Sequence, residues 1–343
     1  MRGVVLPGLR RVEFREFPVP HPGPGQVLVR MRASGLCGSD LRVIYRPAEQ
    51  GSGPEAYRGV IAGHEPAGDI VAVGDNVTDW HVGDRVALYH IAGCGECDDC
   101  RSGWMVSCTR PRRAAYGWQR DGGHADYLLA ETSTLVRLPE WLTYSDGALV
   151  ACGFGTAYAA CLRAGIADGM RVLVTGLGPV GLAVAVIAGA LGAGVTGVEP
   201  NEDRAAIARS LGINAMNALE PPEHDALAPA SRMFDAAVDC SAAEPARLLT
   251  LAATRRWGTV VWVGEGGHVC FEPSPLLLHQ QLTLRGSWVC SVQQMSELMD
   301  RLVTWRVHPD ETVTHRYALA DCADAYRVFD GGSTGKVVIE WTD

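Results

Sequence analysis

The chain of 343 residues is short of lysine, of net positive charge and of uninterrupted apolar runs. Lys336 is its one lysine; the other strongly basic side chains are all arginine. Asp and Glu outnumber Lys and Arg by 39 to 30, a net charge of −9. The bulk field therefore repels phosphate backbones and anionic membranes, which argues against a nucleic-acid or membrane partner. The opening M-R-G-V-V-L-P-G lacks the apolar core of a secretory signal, so the expected location is cytoplasmic. From Val180 to Val198 the chain is uncharged and almost wholly apolar. Repeated glycines and a Gly192-Ala193-Gly194 turn signal divide that stretch into a helix and a strand. This is the pattern of a buried α/β core, not of a membrane span. Repeats, low-complexity tracts and long linkers are missing as well. An apolar fraction of 47% and a charged fraction of 20% are those of a globular protein, and the length favours two domains.

What is present in quantity is cysteine. Eleven thiols without a secretory leader point to metal or redox chemistry, not to a disulfide framework. Four of them, Cys94, Cys97, Cys100 and Cys108, form C-x2-C-x2-C-x7-C in a loop where glycines supply turns. Thiolates so spaced can converge on one tetrahedral Zn²⁺ at about 2.3 Å each. Four reduced thiols are the bland alternative, but the loop is too polar to bury them. An iron–sulfur cluster uses the same ligands. Zinc is preferred, and four thiolates close its shell, so this site serves stability.

Cys37, His64 (in G-H-E) and Cys152 (in A-C-G-F-G-T) are candidates for a second site. Taken singly, each reads as a buried hydrophobe or a hydrogen-bonded core histidine. A dinucleotide fingerprint changes the weighing. The apolar strand Arg171–Thr175 runs into Gly176-Leu177-Gly178-Pro179-Val180-Gly181, a G-x-G-x-x-G followed by an apolar helical segment. These glycines permit the tight turn, the approach of a pyrophosphate and close helix packing. A second strand, 195–198, ends in Glu199, whose carboxylate suits a ribose diol and repels a 2′-phosphate; NAD is favoured over NADP.

These stretches together resemble the zinc-dependent medium-chain dehydrogenases of the alcohol dehydrogenase superfamily. The resemblance rests on C-G-S-D (37–40), G-H-E-P-A-G (63–68), the four-cysteine loop, C-G-F-G-T (152–156) and G-L-G-P-V-G (176–181), and covers nearly the whole chain. It implies a catalytic zinc on Cys37, His64 and Cys152 with one position open, a structural zinc on the four-cysteine loop, and hence two Zn²⁺ plus NAD per chain. It implies an α/β architecture: an antiparallel, barrel-like GroES-like catalytic domain (1–153), a doubly wound Rossmann domain (154–287), and a return to the first domain (288–343) with one helix and closing strands.

The family pattern also assigns further residues. Asp40 would orient His64, and Glu65 would approach the zinc during ligand exchange. Ser39 would take the proton from the alcohol. Thr156 would back the nicotinamide, Arg204 would sit near the adenosine ribose, and Val263 with Gly264 would offer backbone groups to the carboxamide. Lys336 would reach the pyrophosphate, with a solvated surface charge as the equal alternative. Relatives often carry a relay histidine where this chain has Arg42, which stays protonated. His90, four residues before the first structural cysteine, would line the substrate pocket and favour a hydroxyl-rich substrate; Tyr45, Arg46, Tyr116, Trp118 and Gln119 lie in loops that could reach it. The expected reaction is hydride transfer from a secondary alcohol, on a polyol, sugar or cyclitol scaffold, to NAD, giving a ketone reversibly. A small aliphatic or aromatic alcohol is the alternative substrate. A non-catalytic NAD- and zinc-binding structural or sensor protein is the alternative of another class. Partners are then a small alcohol or ketone and further copies of the chain, as a homodimer or homotetramer.

Overall fold

Short runs rich in Val, Leu and Ile, ended by Gly or Pro, fill the N-terminal part of the chain, and they form strands that pair mostly antiparallel. A computed structural model describes residues 1–50, 56–218 and 232–342, and the chain divides into two units. The first comprises Met1–Gly155, Cys290–Gly332 and Lys336–Asp343; the second comprises Thr156–Val289 with Ser333–Gly335. The boundaries thus fall two residues beyond those expected from sequence at each crossing, and the Ser333–Gly335 link groups with the second unit.

A seven-stranded sheet organises the first unit. Its path runs Val313–Ala318, Lys336–Glu340, Gln26–Gly35, Glu65–Val73, Arg85–Leu88, Leu135–Arg137, with Tyr127–Glu131 also paired to Gln26–Gly35. The path is open at both ends, so the expected barrel is a mixed, unclosed sheet. Its parallel pair, Val313–Ala318 with Lys336–Glu340, arises because the last segment comes back over the amphipathic helix Cys322–Asp330. The returning tail therefore holds two main helices, not one. The other, Val292–Trp305, starts at a capping box in which Ser291 and Gln294 bond each other's backbone N–H.

The second unit is a six-stranded, wholly parallel sheet. Numbered within the sheet in chain order, its strands lie 3-2-1-4-5-6, with Arg171–Thr175 and Phe234–Asp239 flanking the switch point. This order places ligand sites outside the carboxyl ends of the central strands. The apolar stretch after Gly178 forms the helix Pro179–Ala190 and the strand Gly194–Val198, both built into this unit. Among the described residues one helix, Tyr144–Ala164, is long and apolar enough to cross a membrane, but 83% of its window is buried inside the protein.

Asp146 holds the returning tail to the first unit. Fully buried, it closes a capping box with Thr143 and accepts from His308 Nδ1 at 2.7 Å and the Asp310 N–H at 2.8 Å. Trp141 stacks on the His308 ring at 3.9 Å. Asp146→Ala removes the cap and leaves three partly buried donors unpaired, so a loss of about 2 kcal/mol is expected in urea unfolding. Asp146→Asn, which keeps one acceptor oxygen, should fall between. A loss under about 1 kcal/mol for the alanine variant would show that the carboxylate does not anchor the tail.

Candidate active site

Three segments of the first unit meet at one point. Cys37 follows the strand Gln26–Gly35, His64 precedes the strand Glu65–Val73, and Cys152 lies on the π-helical turn Val150–Phe154. The ligand atoms of Cys37, His64, Glu65 and Cys152 all lie within 4.8 Å of one another. The two sulfurs are 4.0 Å apart, close to the roughly 3.8 Å edge of a tetrahedron with arms of about 2.3 Å. A hydrogen bond from Cys152 holds the Cys37 thiol well below the usual thiol range, and Cys152 is raised in turn. Burial opposes a charge on His64, but Asp40 and Cys37 outweigh it and raise its proton affinity well above that of an ordinary histidine. Two soft sulfurs and an imidazole already drawn toward a positive charge are the donor set that zinc takes.

Asp40 is fully buried and accepts His64 Nδ1 at 2.8 Å, which leaves Nε2 as the ring's ligating nitrogen. Its other oxygen accepts the Cys37 N–H at 3.2 Å. Ser39 is half-buried and its hydroxyl donates to the Cys37 sulfur at 3.4 Å. His90 is buried, and its Nδ1 lies 2.8 Å from the Ala151 carbonyl; its ring centre is 5.4 Å from that of His64. Burial, with His64 nearby, lowers its pKa to about 4. The ring is therefore neutral, with Nδ1–H committed to Ala151 and Nε2 left as an acceptor. Arg42 is exposed.

Lys336 requires a correction. It is neither a solvated charge nor open to a pyrophosphate: its side chain is 1% exposed. Its amine bonds both Glu65 oxygens at 2.5 Å and the Leu36 carbonyl at 3.1 Å. Burial works against the ammonium, but Glu65 and the two site thiols outweigh it and raise its pKa. Burial pushes the Glu65 carboxyl up to about 7, with Lys336 pulling the other way. The loops near the site also sort themselves. Tyr45 stacks on Tyr326, Arg46 pairs with Asp330, Tyr116 bonds Thr134 and Gln119 bonds Ala115. Trp118 alone of these five is shown reaching the set: its indole N–H points to Asp40 at 3.3 Å and its ring meets His64 edge-on.

Cys94, Cys97, Cys100 and Cys108 also bring four sulfurs within 4.8 Å, with Cys94 and Cys100 at 3.9 Å. The N–H groups of Glu96 and Cys97 donate to Cys94, lowering its pKa to about 6. Burial pushes Cys100 up to about 12. A cation among the four would stabilise all of them as thiolates.

In the second unit, the glycine loop lines a cavity of about 790 Å³ together with Glu199, Arg204, Cys240 and Ser241. A Cβ on Gly181 would lie 1.8 Å from the Gly176 carbonyl, so helix and loop touch there. A Cβ on Gly178 would meet nothing nearer than the Arg204 guanidinium at 3.8 Å, leaving an open cradle at the helix N-terminus. Arg204 Nε is buried without a partner, a donor suited to a phosphate or ribose oxygen. Glu199 accepts the N–H groups of Leu177 and Asn201 at 2.8 and 3.0 Å and so fixes the loop as well as facing the cavity. These features fit a dinucleotide. Thr156 is 9% exposed. The N–H groups of Val263 and Gly264 are both taken by the Asp239 carbonyl, and the Gly264 carbonyl accepts the Arg247 guanidinium at 2.8 Å. Asp239, the last residue of the strand Phe234–Asp239, is a buried hub whose side chain accepts Thr175, Ser241 and Ala242.

Known proteins resemble the chain over its full length. The model for the alcohol dehydrogenase GroES-like domain matches residues 23–140, and that for zinc-binding dehydrogenase matches 179–304. The uncharacterized zinc-type alcohol dehydrogenase-like protein YphC of Escherichia coli K12 is 44% identical, covering 100% of this chain and 99% of YphC. Sorbitol dehydrogenase of Halalkalibacterium halodurans is 30% identical over 97% of this chain and 96% of its own. The structure of acetophenone reductase from Geotrichum candidum in complex with NAD superposes with a TM-score of 0.85 at 27% identity, covering 99% and 97% of the two chains.

The Lys336–Glu65 pair makes a prediction of its own. Lys336→Met strands a buried carboxylate, so unfolding should lose about 3–5 kcal/mol, whereas the Glu65→Gln/Lys336→Met double variant should recover much of it. Equal losses in the single and double variants would mean that the pair does not act as a unit.

Proposed function

Because the chain belongs to the zinc-dependent medium-chain dehydrogenases of the alcohol dehydrogenase superfamily, we propose that it oxidises a secondary alcohol on a polyol, sugar or cyclitol scaffold to the ketone, reversibly, with NAD. The observation that carries this is the convergence of Cys37, His64 and Cys152 beside a neutral, buried His90. When bound, zinc on the first three residues supplies Lewis acidity toward an alcohol oxygen, and the nicotinamide supplies the carbon that accepts hydride. The four-cysteine loop holds a second, structural zinc.

Each protein group then has a task. Asp40 keeps the His64 ring aimed through Nδ1. Ser39, in contact with Cys37, receives the proton of the substrate hydroxyl. Arg42 is charged and exposed and cannot take that proton on, so water does. His90, fixed as an acceptor, receives a hydrogen bond from a second hydroxyl of the substrate, which a simple alcohol does not have. That some relatives are named for polyols, sorbitol dehydrogenase among them, supports the same substrate class. Glu199 carries a negative charge into the cavity that would face a 2′-phosphate, which supports NAD over NADP.

The test is a panel of polyols, cyclitols and simple secondary alcohols, read by NADH formation alongside metal analysis. Two zinc ions per chain and turnover of hydroxyl-rich substrates are expected; one zinc and no turnover would favour a binding protein. Ser39→Ala should lower kcat by about 100-fold or more. His90→Phe should cost about tenfold in kcat/KM on polyols and leave 2-butanol unchanged; equal losses on both would remove His90 from substrate recognition. Arg42→His should add a titrating group to the pH–rate profile below pH 7, and an unaltered profile would exclude position 42 from the proton path.

A further inference from the structure

We propose that Trp118 is a positioning residue of the metal site, holding Asp40 so that Asp40 can hold His64. The proposal rests on the zinc reading of Cys37, His64 and Cys152. Asp40 is a buried carboxylate with three donors. His64 Nδ1 and Trp118 Nε1 share Oδ1, at 2.8 and 3.3 Å, and the Cys37 N–H donates to Oδ2 at 3.2 Å. Two of the three donors belong to residues that would bind the metal. The third, Trp118, lies far from both in sequence, and it ties the carboxylate to a different part of the fold.

That part is rigidly built. The N–H groups of Trp118, Gln119 and Arg120 all bond the Ala115 carbonyl, at 3.3, 2.9 and 3.2 Å, and the Gln119 side chain accepts the Ala115 N–H at 2.7 Å. The Trp118 carbonyl accepts the Arg58 N–H at 2.9 Å. A Cβ on Gly117 would stand 2.9 Å from the Gly63 backbone, so the turn abuts the residue before His64. The indole therefore projects from a fixed base, with one polar atom aimed at Asp40 and its ring edge-on to His64 at 6.4 Å and 88°.

The consequence is directional. Without the indole, only the Cys37 N–H on Oδ2, at 3.2 Å, restrains the carboxylate from rotating about its terminal bond and carrying the imidazole with it. With the indole N–H in place, Oδ1 also has a donor from a fixed base and that rotation costs a second hydrogen bond. Groups that orient metal-binding histidines typically affect metal affinity or activity by 10–100-fold. Trp118 acts one bond further out, so about 3–10-fold is expected.

The experiment compares the zinc-loaded wild type with Trp118→Phe, which keeps the ring and removes the N–H, and repeats the comparison in an Asp40→Ala background, which has no side-chain acceptor. Zinc transfer to a chromogenic chelator is followed, and the visible spectrum is recorded after cobalt exchange. Trp118→Phe should speed release from the two-sulfur site about 3–10-fold and shift the cobalt bands, while release from the four-cysteine site stays constant as an internal control. In the Asp40→Ala background the same substitution should change neither reading. Unaltered release and spectrum in Trp118→Phe, or an equal effect with Asp40 already replaced, would overturn the proposal. If the wild type holds no zinc at Cys37, His64 and Cys152, it is the zinc reading that fails.

Discussion

Everything at the candidate site is governed by one electrostatic constraint: acidic groups crowd a volume from which water is excluded. Asp40 and Glu65 are fully buried, and two thiols lie within 4.8 Å of Glu65 and of each other. An isolated buried anion costs several kcal/mol, so such a cluster persists only with matching cations. The protein supplies one permanent cation there, the ammonium of its single lysine. Lys336 crosses most of the chain length to reach Glu65, and it sits at the first residue of the strand that pairs with Gln26–Gly35. One ammonium neutralises one carboxylate. Asp40 and the thiols are left to His64 and to whatever cation the donor set binds. The raised proton affinity of His64, the lowered pKa of Cys37 and the raised pKa of Cys152 express the same deficit. A divalent ion with soft-donor preference relieves it more completely than protons do.

How much of this was legible in the sequence depends on distance along the chain. The glycine loop and the four-cysteine loop are contiguous; their geometry follows from local turns, and both formed as expected. Cys37, His64 and Cys152 carry no mutual spacing, and only resemblance to a family brought them together before the structure did. Lys336 was misread because a lone cation near a chain end usually stays in water, and nothing local announces a buried carboxylate far away in sequence. Trp118 was visible only as an aromatic in a loop. Its hydrogen bond to Asp40 spans 78 residues, and no periodicity records such a contact. The tail's second helix, Cys322–Asp330, was missed although its amphipathic pattern is local. That the strands on either side of it pair parallel is a question of tertiary pairing and not of propensity.

The irregular backbone at the site has a chemical use. Two short π-helical turns, Asp40–Tyr45 and Val150–Phe154, carry the residue that orients His64 and the third proposed ligand. A π turn lengthens the hydrogen-bond register by one residue and frees a carbonyl from the regular helical ladder, at some cost in stability. In the second turn the Ala151 carbonyl accepts His90 Nδ1. That bond decides the tautomer: it turns His90 from a group that could donate or accept into one that presents only a lone pair. Cys152 follows Ala151 directly, so one backbone distortion both aims a sulfur at the metal position and sets the polarity of the adjacent histidine. The proposed third ligand and the carbonyl that fixes the proposed substrate-reading histidine therefore sit on one π-helical turn, so a change in its register would disturb both together.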